Sequence, residues 1–180
     1  MAAHRARELP VSWRGRITLV LGVALATHVA ALLLVPRAMF TSVVGKPFEG
    51  GGINQLGHRE LPKPGMGAWG PSPDLLYSKC LYDVSAGPVR ISTPVPDGYW
   101  SMSVYADDTD LVTVVNDREL PEHRLDAVFA LAGQATPEGV RVIRVPRARG
   151  VALFRTLVSD PALEAPLDAL RRQGSCAPVS

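Results

Sequence analysis

Tyr99-Trp-Ser-Met-Ser-Val-Tyr-Ala106 alternates bulky apolar residues with small or hydroxyl-bearing ones. Trp100, Met102, Val104 and Ala106 share one parity; Tyr99, Ser101, Ser103 and Tyr105 share the other. A period of two marks a strand with one buried face. Runs of the same kind lie on both sides: Leu75–Val84, Val89–Pro94, Leu111–Val115, Ala127–Ala132, Val140–Val145 and Gly150–Val158. The last is apolar on both parities and reads as a buried strand, with a short helix as the other reading. Turn signals separate the runs at Gly87-Pro88, Pro96-Asp97-Gly98, Asp107 to Asp110, Asn116-Asp117 and Thr136 to Gly139. Ala165–Arg172 reads as a short helix, with Leu167 and Leu170 three apart and Arg171-Arg172 before Gly174. The expected fold over 71–180 is mainly β, an antiparallel sandwich or jelly-roll-like domain with a short C-terminal helix.

Upstream the texture changes. Ile17–Val35 reads ITLVLGVALATHVAALLLV and has no formal charge with His28 neutral. As a helix it is about 28 Å long, enough to cross a hydrocarbon core of roughly 30 Å. Residues 17–36 are therefore expected to be one transmembrane anchor, closed by Pro36-Arg37. A cleaved signal peptide is the rival reading, but its apolar core is usually ~7–15 residues and ends in a small-x-small site, which Pro36-Arg37-Ala38 matches poorly. Arg5, Arg7, Arg14 and Arg16 precede the span, and only Arg37 and Lys46 follow it closely. The positive-inside bias then makes 1–16 a cytoplasmic tail and puts the domain on the far side of a bacterial inner membrane, in the periplasm. His28 is the one ionisable group in the span, read as a neutral imidazole that one helix tolerates or turns to a partner helix.

The net charge of +2 belongs to the tail, since beyond Pro36 there remain 15 basic and 16 acidic residues. That balance argues against a nucleic-acid-binding domain. Residues 37–70 are rich in Gly and Pro and are expected to be an irregular linker or a segment wrapping over the domain. Gly50-Gly51-Gly52 has no Lys-Ser/Thr after it and reads as a flexible lead-out rather than a phosphate loop. Two cysteines, Cys80 and Cys176, either pair in an oxidising compartment or remain a buried thiol and a free one in a loose tail running from Cys176 to Ser180.

Pro71-Ser-Pro-Asp-Leu-Leu-Tyr-Ser78, Leu81-Tyr-Asp83, Gly98-Tyr-Trp-Ser-Met-Ser-Val-Tyr105 and Val114-Val-Asn-Asp117, followed by Val140-Arg-Val-Ile-Arg-Val-Pro146 and Phe154-Arg-Thr-Leu-Val158, form an ordered set. Together they resemble the bacterial domain of unknown function 1254 over about residues 53–172. The resemblance implies a β-rich sandwich at the cell envelope and supplies no catalytic residues. It also implies short single-span forms whose companion, a second uncharacterised domain numbered 1214, tends to be a separate membrane protein.

Several residues carry chemistry. Asp74, Tyr77 and Asp83 sit on or beside the first run, and Tyr77, Lys79 and Asp83 share a parity; such a face binds a sugar or does acid–base work, or is simply solvated. Tyr99 and Tyr105 form an aromatic row for a sugar ring or a partner, or else pack under the 37–74 segment. Asp107, Asp108 and Asp110 have oxygen ligands but no completed calcium-loop pattern, so no metal is expected. Arg141, Arg144, Arg147, Arg149 and Arg155 are dense but lie on mixed parities, which argues against one anion-binding stripe. The sequence has no Gly-x-Ser-x-Gly, His-Glu-x-x-His, Cys-x-x-Cys or P-loop, and no motif calls for a cofactor. The expectation is a binding or assembly module held on the lipid bilayer, working with another envelope membrane protein. The alternative is an enzyme on cell-envelope glycan or another small substrate.

Overall fold

The computed structural model describes residues 12–61 and 71–179. Most of the expected cytoplasmic tail and residues 62–70 of the linker lie outside the described residues.

One helix, α1 (Trp13–Met39), precedes the domain. The Ser12 hydroxyl caps it by accepting from the Gly15 N–H at 3.3 Å. None of its residues is buried in the protein, and it is long and apolar enough to cross a membrane. An anchor and a signal sequence both have this form. The helix does not stop at Pro36 as the sequence suggested. It runs on to Met39, the Arg37 guanidinium reaching back to the Leu33 carbonyl at 2.7 Å, and ends in a π turn over Phe40–Val44. Proline removes one donor from the ladder but stops a helix only where nothing else holds the next turn.

All seven expected strands form, and two more join them. The strands are β1 (Leu56–Arg59), β2 (Leu75–Asp83), β3 (Val89–Pro94), β4 (Trp100–Ala106), β5 (Leu111–Asn116), β6 (Arg124–Ala130), β7 (Arg141–Arg144), β8 (Arg149–Leu157) and β9 (Ser175–Pro178). A second helix, α2 (Glu164–Arg171), lies between β8 and β9. The strands make a five-stranded sheet in the order β1-β2-β8-β4-β5 and a four-stranded sheet in the order β7-β6-β3-β9. The domain is thus a mainly β sandwich with a short helix near its C-terminal end. One pair departs from the antiparallel expectation: β6 and β7 run parallel, Ala127 opposite Arg141 and Ala130 opposite Arg144. The loop of 131–140 lets the chain cross back before pairing again.

The core lies between the sheets. Trp100, Met102 and Val104 point into it with Cys80, Tyr82, Phe154, Ile91, Phe129 and Leu125. Tyr82 packs on Phe129 at 5.0 Å and Trp100 on Phe154 at 6.0 Å between ring centroids, both tilted, as aromatic quadrupoles prefer. Cys80 of β2 and Cys176 of β9 are joined in a disulfide that ties one sheet to the other. The stretch from Cys176 onward, a loose tail in the free-thiol reading of the two, is therefore an edge strand on β3.

Gly150 has a packing role. A side chain there would lie 2.1 Å from the Tyr82 hydroxyl and 2.2 Å from the Tyr105 carbonyl oxygen. Without it, the buried Tyr82 phenol crosses β8 and donates to the Tyr105 carbonyl at 3.2 Å.

The lead-out is packed rather than loose. The Asn54 N–H donates to the Leu81 carbonyl at 2.7 Å, and its side chain exchanges bonds with the Asp83 backbone at 2.8 and 3.0 Å. Gly51 lies so close to β1 that a side chain would come within 2.7 Å of the Gly57 Cα. The glycines of this stretch allow close backbone approach, so 48–59 is the wrapping segment of the two readings.

Candidate functional site

Strand geometry sends alternate residues of β2 to opposite sides. Leu76, Ser78, Cys80 and Tyr82 face the other sheet; Tyr77, Lys79, Leu81 and Asp83 face away from it. The register places Arg59, Tyr77 and Arg155 side by side on that outer face, and Gly57, Lys79 and Leu153 likewise. The outer face is not fully solvated. The end of α1 and the lead-out lie over part of it and enclose a cleft of about 540 Å³. Its walls are Met39, Phe40, Val44 and Phe48 on one side and Tyr77, Lys79, Tyr105, Val151 and Leu153 on the other, with Arg59, Pro71 and Thr109 at the rim. That volume is within the ~300–1,000 Å³ usual for small-molecule sites.

Lys79 is the buried charge of the cleft. Its ammonium donates to the Val44 carbonyl at 2.9 Å and lies 4.2 Å from the centre of the Phe48 ring. Burial, then the neighbouring Arg59, lowers its pKa from the ordinary lysine value. The Tyr77 hydroxyl accepts from the Ser72 N–H at 3.1 Å, which fixes the ring along one wall. A cavity of about 230 Å³ adjoins across Phe40, with Asp83 and Arg149 in its lining.

The residues singled out in the sequence are only partly brought together. Tyr77 and Tyr105 both line the cleft. Tyr99 does not: it precedes β4, is exposed, and its hydroxyl bonds Ser101 Oγ at 3.1 Å. Tyr105 thus takes the packed position beneath the segment after α1, and Tyr99 the solvent-facing one. Asp74 and Asp83 bracket β2, about 30 Å apart at the usual rise per residue. Each is locally satisfied, Asp74 by Ser72 Oγ and Asp83 by Ser85 and by Arg149 Nε at 2.8 Å. The bonds from Ser85, then Arg149, keep the Asp83 pKa below the usual carboxylate value. The Asp107 and Asp108 carboxylates both meet Arg147, at 3.5 and 2.5 Å. Among the described residues no three His, Cys, Asp or Glu side chains gather as a metal site.

The inner side of the same strand carries a network that sequence reasoning missed. Arg171 is buried at the end of α2. It donates to the Tyr77 carbonyl at 2.6 Å, the Arg59 carbonyl at 2.8 Å and Ser78 Oγ at 3.2 Å, and pairs with Asp168. His58 Nδ1 lies 2.9 Å from Ser78 Oγ. Burial, followed by Arg171 and Arg172, lowers the His58 pKa to about 4 against the opposing pull of Asp168. The imidazole is therefore neutral at pH 7, with the Ser78 hydroxyl able to donate to it while accepting from Arg171. The arrangement clamps α2 to β1 and β2. Its sequence signal was faint: Arg171 and Arg172 read alike as helix-end cations, yet only Arg171 is buried.

With the sandwich and its cleft described, comparison with known proteins places the chain. The family model for "Protein of unknown function (DUF1254)" matches residues 53–178. The chain belongs to the DUF1254 family. The matched region of this DUF1254 chain begins at the wrapping segment before β1 and ends in β9, so it coincides with the sandwich. Among curated proteins none matches. Two solved structures share the fold. One is the VPA0106 protein from Vibrio parahaemolyticus, with a TM-score of 0.62, 17% identity, and 83% of this chain matched to 35% of that one. The other is a putative uncharacterized protein from Burkholderia cenocepacia, with a TM-score of 0.50, 15% identity, and 85% matched to 42%. The chain thus spans less than half the length of either.

Proposed function

We propose that this DUF1254 protein is a single-span bacterial envelope protein whose periplasmic domain is a binding module. The observation that carries the proposal is the cleft at the foot of the domain, formed jointly by the end of α1 and the outer face of the five-stranded sheet. A domain that merely hung from its anchor would have no reason to build such a site from the anchor's last turn. The orientation rests on the arginines before the span, and the oxidising compartment it implies agrees with the Cys80–Cys176 disulfide. The second half of the reading is that the module works with another membrane protein, such as a separate 1214-type domain protein.

Geometry favours binding over catalysis on glycan. The carboxylates Asp74 and Asp83 stand at opposite ends of β2, too far apart to share a substrate bond. The test is crosslinking in intact membranes, with a photoreactive residue in place of the exposed Val114 or Leu111 on β5, followed by affinity capture after solubilisation. The expected product is a discrete adduct with a second membrane protein. Recovery of the monomer alone from both positions would overturn the assembly role.

A further inference from the structure

The cleft has a charge character that its apolar walls do not need. Lys79 and Arg59 flank it on adjacent strands, close enough that the guanidinium bears on the ammonium. Among the described residues neither has a carboxylate within ion-pair distance, and Lys79 is the buried one of the two. Asp107 and Asp108, in the turn that brings Thr109 to the rim, are taken by Arg147. Burying a cation without a counter-ion is costly, and an anionic ligand removes that cost.

Position supplies the second constraint. With Ile17–Val35 filling the hydrocarbon, Met39 and Phe40 sit about 3–5 Å beyond Arg37 along the helix axis, in the headgroup layer. The cleft's apolar wall is thus continuous with the membrane-facing surface of α1, and its cations stand above that wall. We propose that the cleft holds one anionic phospholipid of the bilayer, with an acyl chain against Phe40, Val44, Val151 and Leu153 and its phosphate between Lys79 and Arg59. A neutral apolar ligand would leave Lys79 with only the Val44 carbonyl and the Phe48 ring and neither cation with an opposite charge, and a soluble anion would leave the walls wet. The inference rests on the proposed reading of α1 as an anchor and of the cleft as the binding site.

The test uses the full chain purified in detergent, with no partner protein present, so that its failure is separate from failure of the assembly role. Phosphatidylglycerol and phosphatidylcholine with identical photoactivatable acyl chains are added in turn. Native mass spectrometry is expected to show phosphatidylglycerol retained about tenfold better, the value of one charge-assisted bond. After irradiation, the label should map to peptides containing Val151 and Leu153 as well as to α1. Lys79→Gln with Arg59→Gln should abolish the headgroup preference, and Leu153→Trp should remove the label from β8 while leaving it on α1. Equal retention of the two lipids by the unaltered protein, or label confined to α1, would overturn the proposal. Both readouts come from the unaltered chain and so do not depend on the variants folding.

Discussion

The two faces of the five-stranded sheet are made by the same strands and solve different problems. The inner face carries Cys80, Tyr82, Trp100, Met102 and Phe154, buried against the second sheet. Its polar members, Ser78 and His58, are closed into a network by Arg171. The outer face carries Tyr77, Lys79, Tyr105, Val151 and Leu153, half covered by a helix end, with two cations and no carboxylate between them. A face that exists to hold the fold together satisfies its own polar groups. A face whose buried ammonium meets only a carbonyl and a ring, with no opposite charge, is where an anionic ligand is to be sought.

The largest effect should come from cutting the inner face's covalent tie. Replacing Cys80 and Cys176 together by Ala opens a loop with a sequence separation of 96. The expected loss is up to about 4.7 kcal/mol of unfolding free energy in the chain-entropy account, read by chemical denaturation. A loss under about 1 kcal/mol would mean that β9 holds its place by pairing alone. Next comes Arg171→Ala, which strips partners from Ser78 and from the Tyr77 and Arg59 carbonyls and leaves Asp168 to Arg172. About 3 kcal/mol should be lost, with Arg171→Lys recovering only part because a lysine lacks the planar fork.

A smaller effect distinguishes the inner face by pH. His58 has a folded-state pKa of about 4, below the unfolded value of 6.5. Between those values the unfolded chain binds the extra proton, so stability falls as pH drops from 6.5 toward 4 and levels off below. After allowing for partial exposure the loss should be about 1 kcal/mol. His58→Gln should flatten that window. Asp83 and Asp126, whose pKa values are lowered chiefly by bonds from Ser85 and Arg90, lose their contribution only at more acid pH, so the two regimes separate. The smallest change is expected on the outer face: Tyr105→Ala or Leu153→Ala should cost about 1 kcal/mol or less in stability. A large drop in Tm for either would recast the cleft as core.

The contrast between the faces was half visible in the sequence. Parity in Tyr99–Ala106 gave the inward set, Trp100, Met102, Val104 and Ala106, and the seven strands followed from turn chemistry. The same parity made Ser101 and Ser103 solvent residues, yet both are buried. Arg155 reaches across to donate to Ser103 Oγ at 2.9 Å, and no periodicity reports a neighbour's long side chain. β1 and β9 were missed because each has only four residues and the pairing that makes them strands is supplied by distant parts of the chain. The cleft was hidden for a similar reason. Tyr77, Lys79 and Tyr105 were visible as one parity, but their apolar lid comes from residues 39–48, assigned to a linker. Arg171 was indistinguishable from Arg172 until α2 had a place to lie.

The disulfide has a topological consequence. Cys80 and Cys176 close residues 80–176 into a covalent ring, with α1, the wrapping segment and β1 all outside it. A single cut in any loop inside the ring leaves both fragments joined to each other and to α1. A single cut between α1 and β1 releases the whole sandwich. Peptide-bond cleavage therefore has two unequal results in this molecule, silent nicking within the ring and separation of the sandwich from α1 outside it.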